Sequence, residues 1–177
     1  MKIKWVPAIL AVIAASGLLF GSWYGYKYIV LEQPFEKIVN QLDGIKAAKP
    51  VFENNRVTVE LQLADGAEIR DIYRQMRTEG ASVIGNRELQ LVIRESSNDH
   101  LDRLWSSMLF EVAQAMETRE YSNIPEAMKK LEQENEGLKV VTEMDDINVY
   151  ITMNDGKSTK YIVLPRIPLK LGVWPNA

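Results

Sequence analysis

Three groups of side chains in this sequence have types and spacing that catalysis or metal binding could use. The first group contains the only histidine. His100 lies between Asp99 and Asp102 in the stretch NDHLD. An imidazole beside carboxylates can bind a metal ion or transfer protons, but the chain has no second histidine and no cysteine to complete a site. An exposed position in the first turn of a helix explains the same residues, and we favour that interpretation.

A second group is acidic. Glu143, Asp145 and Asp146 are followed by Asn148, and their oxygens are ligands that calcium accepts. Their spacing does not match a calcium-binding loop, whereas a charged turn between two strands needs only polar residues that tolerate tight backbone geometry. We therefore expect a turn here and no metal.

Ser158 and Lys160 form a third possible group, because residues two apart in a strand point to the same face and a serine–lysine dyad can hydrolyse peptides. Most strands contain such a pair by chance. The sequence has no glycine-rich phosphate loop, no paired histidines at helical spacing and no serine in a nucleophile elbow. It therefore predicts a protein that is not an enzyme, with no catalytic residues, metal or cofactor.

The composition is that of one globular domain with an additional N-terminal segment. The chain has 177 residues, of which 46% are hydrophobic and 25% charged. Lys2, Lys4 and Lys27 belong to the N-terminal segment, so residues 32–177 retain 18 of the 21 basic residues against all 24 acidic ones, a net charge of −6. A surface of that sign does not attract phosphates, and we expect no nucleic-acid partner.

The N-terminal segment has the pattern of a membrane-spanning helix. Residues 5–26 contain no Asp, Glu, Lys or Arg, and a helix of that length spans about 33 Å, enough for the hydrocarbon core of a bilayer. Trp5 at one end and Trp23 at the other fit the headgroup layers. This predicts a single-pass, signal-anchored protein of the cell membrane, with the lipid bilayer as a partner, a cytoplasmic N-terminus and an extracytoplasmic C-terminal domain. A cleaved signal peptide with small residues at 14–16 is the alternative.

Three glycines in this segment, Gly17, Gly21 and Gly25, recur every four residues. At that spacing they share one helix face and form a strip on which the backbone of another helix can approach closely. We predict packing between transmembrane helices there. The high frequency of glycine in spanning helices is the simpler explanation.

Beyond this segment, the spacing of apolar residues predicts an α+β domain. The expected elements are an amphipathic helix near 35–42, a strand over 56–63, a helix over 65–80, two short strands in 81–93, a long helix over 98–119, a second helix over 124–136 and three final strands. The last two strands form a hairpin that turns at Asp155 and Gly156. This order predicts a ferredoxin-like (split βαβ) domain extended by an extra helix and a C-terminal β-hairpin.

The predicted organisation is a short tail over 1–4, a transmembrane helix over 5–26, a juxtamembrane segment with the amphipathic helix over 27–44 and a globular domain over 45–177. It resembles assembly-platform and ring-building modules of bacterial envelope machines at the level of architecture only.

The predicted long helix has the widest apolar face of the chain, so we expect it at the centre of the core. The residues of that face are Leu101, Leu104, Trp105, Met108, Leu109, Val112, Ala115 and Met116.

The C-terminal segment PRIPLKLGVWPNA alternates apolar with polar or small residues between prolines, which is typical of an extended edge segment. It packs on its own domain or pairs with the sheet edge of a partner. Residues 157–177 carry four basic residues and no acidic one, whereas residues 111–146 carry ten acidic and four basic. Such opposite charges attract a partner or a second copy, unless they meet within the fold or stay solvated. The candidate partner-binding residues are Arg166, Ile167, Leu169, Lys170, Leu171 and Trp174.

These observations predict a non-enzymatic, membrane-anchored protein whose globular domain mediates protein–protein interaction, as a scaffold or an accessory subunit of a cell-envelope assembly, with self-association included. A membrane-anchored regulatory or sensor domain that binds an envelope ligand is the alternative. A membrane-anchored hydrolase has the least support, because the catalytic motifs are missing.

Overall fold

A computed structural model describes residues 5–94 and 97–166, with the side chains of residues 5–11 and 24 outside that description. The elements are α1 (Trp5–Tyr26), a π-helical segment (Lys27–Glu32), α2 (Gln33–Asn40), β1 (Ile45–Phe52), β2 (Arg56–Leu63), α3 (Ile69–Glu79), α4 (Ala81–Ile84), β3 (Glu88–Ile93), α5 (Asp99–Thr118), α6 (Asn123–Glu134), β4 (Lys139–Met144), β5 (Asn148–Asn154) and β6 (Thr159–Pro165).

The first sheet has the strand order β1-β2-β3. Strand β2 pairs antiparallel with β1 and parallel with β3, so α3 and α4 form the crossover between two parallel neighbours. The alternation that predicts a strand over 56–63 is confirmed, since Val57, Val59, Leu61 and Leu63 are all buried. The amphipathic helix predicted near 35–42 is also present as α2, which buries Phe35 and Val39 in the same core.

The second sheet is an antiparallel meander with the order β4-β5-β6. Its central strand β5 is buried on both faces. Val149, Ile151 and Met153 share a cluster with the apolar sides of α5 and α6, and Tyr150, which points the other way, belongs to the core of the first sheet. The second sheet is therefore a layer between α5 with α6 and the first sheet.

Specific contacts join the two sheets. The rings of Tyr73 on α3 and Tyr150 on β5 lie 5.9 Å apart between centroids. The hydroxyl of Tyr161 donates a hydrogen bond of 3.3 Å to the carbonyl oxygen of Ala64, and Arg70 forms a 3.2 Å ion pair with Glu143. Burial of the Tyr161 ring raises the pKa of its hydroxyl.

The prediction of a membrane-spanning helix is wrong: of the helices in the described part of the chain, none is both long and apolar enough to cross a membrane. Residues 5–26 are helical, and residues 12–26 of this helix include two serines and three glycines, which lower its hydropathy. The predicted single-pass topology, signal anchor and cell-membrane location depended on that helix and are wrong with it.

The α+β class agrees with the structure, but the ferredoxin-like arrangement is wrong, because the strands form two three-stranded sheets and not one. Two local errors explain this. Residues 81–84 form the helix α4, since the chain remains helical beyond Gly80 and Ile84 turns into the core. Strand β1 was not among the expected strands. It contains Pro50, which an edge strand tolerates.

The C-terminal hairpin is confirmed. Strands β5 and β6 pair antiparallel from Asn148 opposite Pro165 to Asn154 opposite Thr159. Gly156 supplies the positive φ of +81° that their tight turn requires. The extra helix expected after α5 is present as α6.

Candidate protein-binding groove

Helix α5 is the longest helix of the second layer and begins at a well-formed cap. The side chain of Asn98 accepts a hydrogen bond of 2.9 Å from the backbone N–H of Leu101, and the helix ends where Arg119 adopts a left-handed backbone with φ of +59°. The core takes up only part of its apolar face. The buried residues are Leu101, Met108, Val112 and Ala115.

The rest of that apolar face borders a groove of about 310 Å³ between α5 and the end of β6. The groove is lined by Trp105, Leu109, Val112, Ala113, Met116 and Glu117 from α5 and by Leu164, Pro165 and Arg166 from the strand end. Trp105 and Met116 are half-buried, and Leu109 is 45% exposed. Among the described residues, the groove is therefore apolar in lining and open to solvent.

Phe110 stands beside this groove and is 89% exposed. Helical geometry places it next to Ala113 and one turn from Ser106, so its ring extends the apolar surface outward. A lone exposed apolar residue needs no explanation, but an exposed phenylalanine on the helix that borders an apolar groove adds to the kind of surface that marks a contact with another molecule.

Arg166 closes the groove at the C-terminal end of α5. Its guanidinium lies 4.7 Å from the centroid of the Tyr121 ring and donates a hydrogen bond of 2.8 Å to the carbonyl oxygen of Asp145. Of the predicted partner-binding residues, Arg166 therefore lines the groove and also has a role within the fold. Ile167, Leu169, Lys170, Leu171 and Trp174 lie outside the described residues.

The opposite end of the groove is held by polar contacts between α5 and the β5–β6 hairpin. Lys160 forms a 2.7 Å ion pair with Asp102, and Asn98 donates a 2.7 Å hydrogen bond to Asp155. The bond from Lys160, with one from Ser97, lowers the pKa of Asp102. The bond from Asn98 and those from the N–H groups of the hairpin turn lower the pKa of Asp155 to about 2.

These contacts bear on two of the candidate groups from the sequence, the Ser158–Lys160 pair and His100. Lys160 is committed to Asp102, and a serine–lysine dyad with Ser158 has no support. His100 lies in the first turn of α5, as expected. Within residues 5–94 and 97–166, no three His, Cys, Asp or Glu residues are grouped closely enough to hold a metal ion.

The acidic stretch after β4 forms a turn, as the sequence predicts. Oδ1 of Asp145 accepts hydrogen bonds of 2.7 Å from the N–H groups of Ile147 and Asn148, and its Oδ2 accepts one from the Tyr150 hydroxyl. Burial raises the pKa of Asp145, but these hydrogen bonds and the charge of Arg166 outweigh it, and the pKa is lowered overall. Burial of the Tyr150 side chain raises the pKa of its hydroxyl, and the hydrogen bond that this hydroxyl donates to Asp145 raises it further.

A second concave surface, of about 1000 Å³, lies between the end of α1 and the β1–β2 turn. Its lining mixes charges of both signs, including Lys27, Glu53, Arg56 and Arg87. Arg87 is already engaged there, since it donates to the carbonyl oxygens of Glu53 and Ile84 and lies 5.8 Å from the centroid of the Phe52 ring. This surface supplies no group of converging, uncommitted charges that would identify a ligand.

The predicted helix-packing residues lie far from the groove in sequence. A Cβ placed on Gly17, Gly21 or Gly25 meets no atom within 4 Å, so this strip of α1 is open. Packing of another helix on it stays a prediction.

Sequence reasoning assigned the apolar residues of α5 to the core and did not single out Phe110. The sequence held a signal for the groove but not for Phe110, because the predicted apolar face of this 20-residue helix has eight residues, of which the core buries only four.

The sequence matches no protein-family model, and no curated protein is significantly similar to it. The residues and their geometry therefore carry the functional conclusion.

Proposed function

We propose that this chain is a non-enzymatic protein-interaction module and that the groove between α5 and β6 is its binding surface. The observation that carries the proposal is the apolar groove lined by Trp105, Leu109 and Met116, with Phe110 exposed on the same helix beside it. Aromatic and apolar side chains at the centre of a contact supply most of the binding free energy in protein complexes.

The charges around the groove define the partner. Glu117 lies in the lining, and residues 111–146 have a net charge of −6. The other charged residue of the lining, Arg166, is engaged with the Tyr121 ring and the carbonyl oxygen of Asp145. The carboxylate of Glu117 attracts basic residues and discriminates against acidic ones. The proposed partner is therefore a segment of another protein with one or two large apolar side chains flanked by Lys or Arg.

Selection of 12-residue peptides on phage against the purified chain tests this proposal. We expect enrichment of peptides that combine large apolar with basic residues. Phe110→Asp and Leu109→Glu should each weaken their binding at least about tenfold, which corresponds to loss of one interfacial anchor. Phe110 is so exposed that its replacement should leave the fold intact, which circular dichroism can verify.

Val92→Asp is the matched control, because Val92 is a partly exposed apolar residue (39%) on β3 of the other sheet. Selected peptides that bind the Phe110→Asp and wild-type chains equally would overturn the proposal.

A further inference from the structure

Strand β4 is an open edge of the second sheet. Among the described strands it pairs only with β5, in an antiparallel register that sets Glu143 opposite Tyr150. The N–H of Asp145 donates to the carbonyl oxygen of Asn148 at 3.0 Å in the same register. Hydrogen-bonded pairs alternate along an antiparallel ladder, so Val141 and Glu143 bond to β5, and Val140, Thr142 and Met144 direct their backbone groups outward.

This edge has few of the features that usually protect an edge strand. Strand β1 contains Pro50 and β6 ends at Pro165, but β4 contains no proline and has one lysine, at its first position. Val141 is 56% exposed and Met144 47% exposed. An unpaired, partly apolar edge of this kind is a template for another strand.

The residues of β4 are complementary to themselves in one antiparallel register. If two copies meet with Thr142 opposite Thr142, Val140 of each copy lies opposite Met144 of the other. Lys139 then comes beside the acidic turn at Asp145 of the second copy. Threonine pairs, apolar pairs and opposite charges are all favourable across antiparallel strands.

The backbone agrees with the same register. The three residues whose N–H and C=O groups point outward would face one another in the two copies, so each facing pair can exchange two hydrogen bonds. Glu143 would lie opposite Val141, with its carboxylate held to one side by Arg70 of its own chain. We propose that two copies of this chain associate through antiparallel pairing of their β4 strands, centred on Thr142, to form a continuous six-stranded sheet.

Such a contact is a two-fold, self-complementary interface and is independent of the groove on α5. One strand pair with few large side chains buries little area, which places the association in the micromolar range and not among obligate dimers.

Cysteine crosslinking tests the register directly, because the natural chain contains no cysteine. Thr142→Cys places two thiols directly opposite each other at a Cα separation that a disulfide can bridge. Lys139→Cys in the same strand would separate the two thiols by about 20 Å, since their positions are offset by six residue steps along the strands. Thr78→Cys, on exposed helix α3, is the control for random collision.

We expect mild oxidation to convert Thr142→Cys to a covalent dimer and to form no disulfide-linked dimer in the other two variants. Equal crosslinking of all three variants, or none at position 142, would overturn the proposal.

Analytical ultracentrifugation of the full chain is the second measurement. Thr142→Pro removes an N–H that β5 does not use, so the fold should persist while the dimer dissociation constant rises at least about tenfold. Phe110→Asp should leave that constant unchanged, which separates this interface from the proposed groove. A wild-type chain that is monomeric up to roughly 100 µM would refute the pairing, as would a dimer that Thr142→Pro does not weaken.

Discussion

The hydroxyl of Tyr150 donates a hydrogen bond of 2.7 Å to Oδ2 of Asp145, which links the turn after β4 to the layer between the two sheets. Asn148 donates to the same hydroxyl at 3.1 Å, and the Tyr150 ring packs against Tyr73 of the first sheet. The turn that presents the end of β4 is thus anchored through a residue that is only 1% exposed.

Tyr150→Phe should destabilise the fold by roughly 1–2 kcal/mol, because the ring still fills the core but Asp145 and Asn148 lose a buried partner. Urea denaturation measures this change. Tyr121→Phe is the matched control, since the Tyr121 hydroxyl has no hydrogen-bond partner among the described residues. Equal stability of the wild type and Tyr150→Phe would show that the bond contributes nothing.

Arg166 and Tyr121 should be energetically coupled, because the guanidinium lies 4.7 Å above the ring. In a double-mutant cycle with Arg166→Met and Tyr121→Leu, we expect a coupling free energy of about 0.5–2 kcal/mol. Arg166→Met also removes the hydrogen bond to the carbonyl oxygen of Asp145. This loss occurs with either residue at position 121, so it cancels from the coupling free energy. Additive effects of the two substitutions would rule out the interaction.

Stability at acidic pH should depend on Asp155. Its pKa falls from the ordinary 3.8 to about 2 on folding, so between these values the unfolded chain binds more protons than the folded one. Its contribution is complete above the unfolded pKa and is lost as the pH falls through about 2. The difference in urea midpoint between the wild type and Asp155→Asn should therefore be constant at neutral pH and shrink below pH of about 4.

Asp146→Asn is the control for this pH dependence, because Asp146 is exposed and has no hydrogen-bond partner in the described part of the chain. A wild-type to Asp155→Asn difference that does not change down to pH of about 2 would contradict the assignment.

Local patterns predicted most of the individual elements but not their assembly. Strict alternation identified β2, and the helical spacing of α3, α5 and α6 identified those helices, because each pattern reports one buried face. The choice between one sheet and two depends on how strands pair at a distance, which periodicity does not report. Residues 81–84 form a helix and not the expected strand. As a result, β3 runs parallel to β2, whereas the predicted fold would have made these two strands antiparallel.

The same limit applies to the candidate surfaces. The apolar width of α5 was visible in the sequence, but which side of it stays uncovered depends on where β6 ends. Similarly, β4 was predicted as a strand, and only its position at the sheet edge, with Val140, Thr142 and Met144 facing outward, makes it a candidate interface.

Gly80 should be intolerant of any side chain. It follows α3, and a Cβ at this position would collide with the ring of Phe35, which is fully buried, and would lie 2.6 Å from the carbonyl oxygen of Met76. Gly80→Ala should therefore destabilise the fold by about 1–3 kcal/mol, although alanine favours helix over glycine by up to about 1 kcal/mol. Gly21→Ala is the control, since a Cβ there meets no atom of the described residues within 4 Å, and this substitution inside helix α1 should not destabilise the fold. Phe35→Leu combined with Gly80→Ala should recover part of the loss if the collision is the cause, and urea denaturation of the four chains would detect this. A Gly80→Ala chain as stable as the wild type would refute the close packing of α2 against the end of α3.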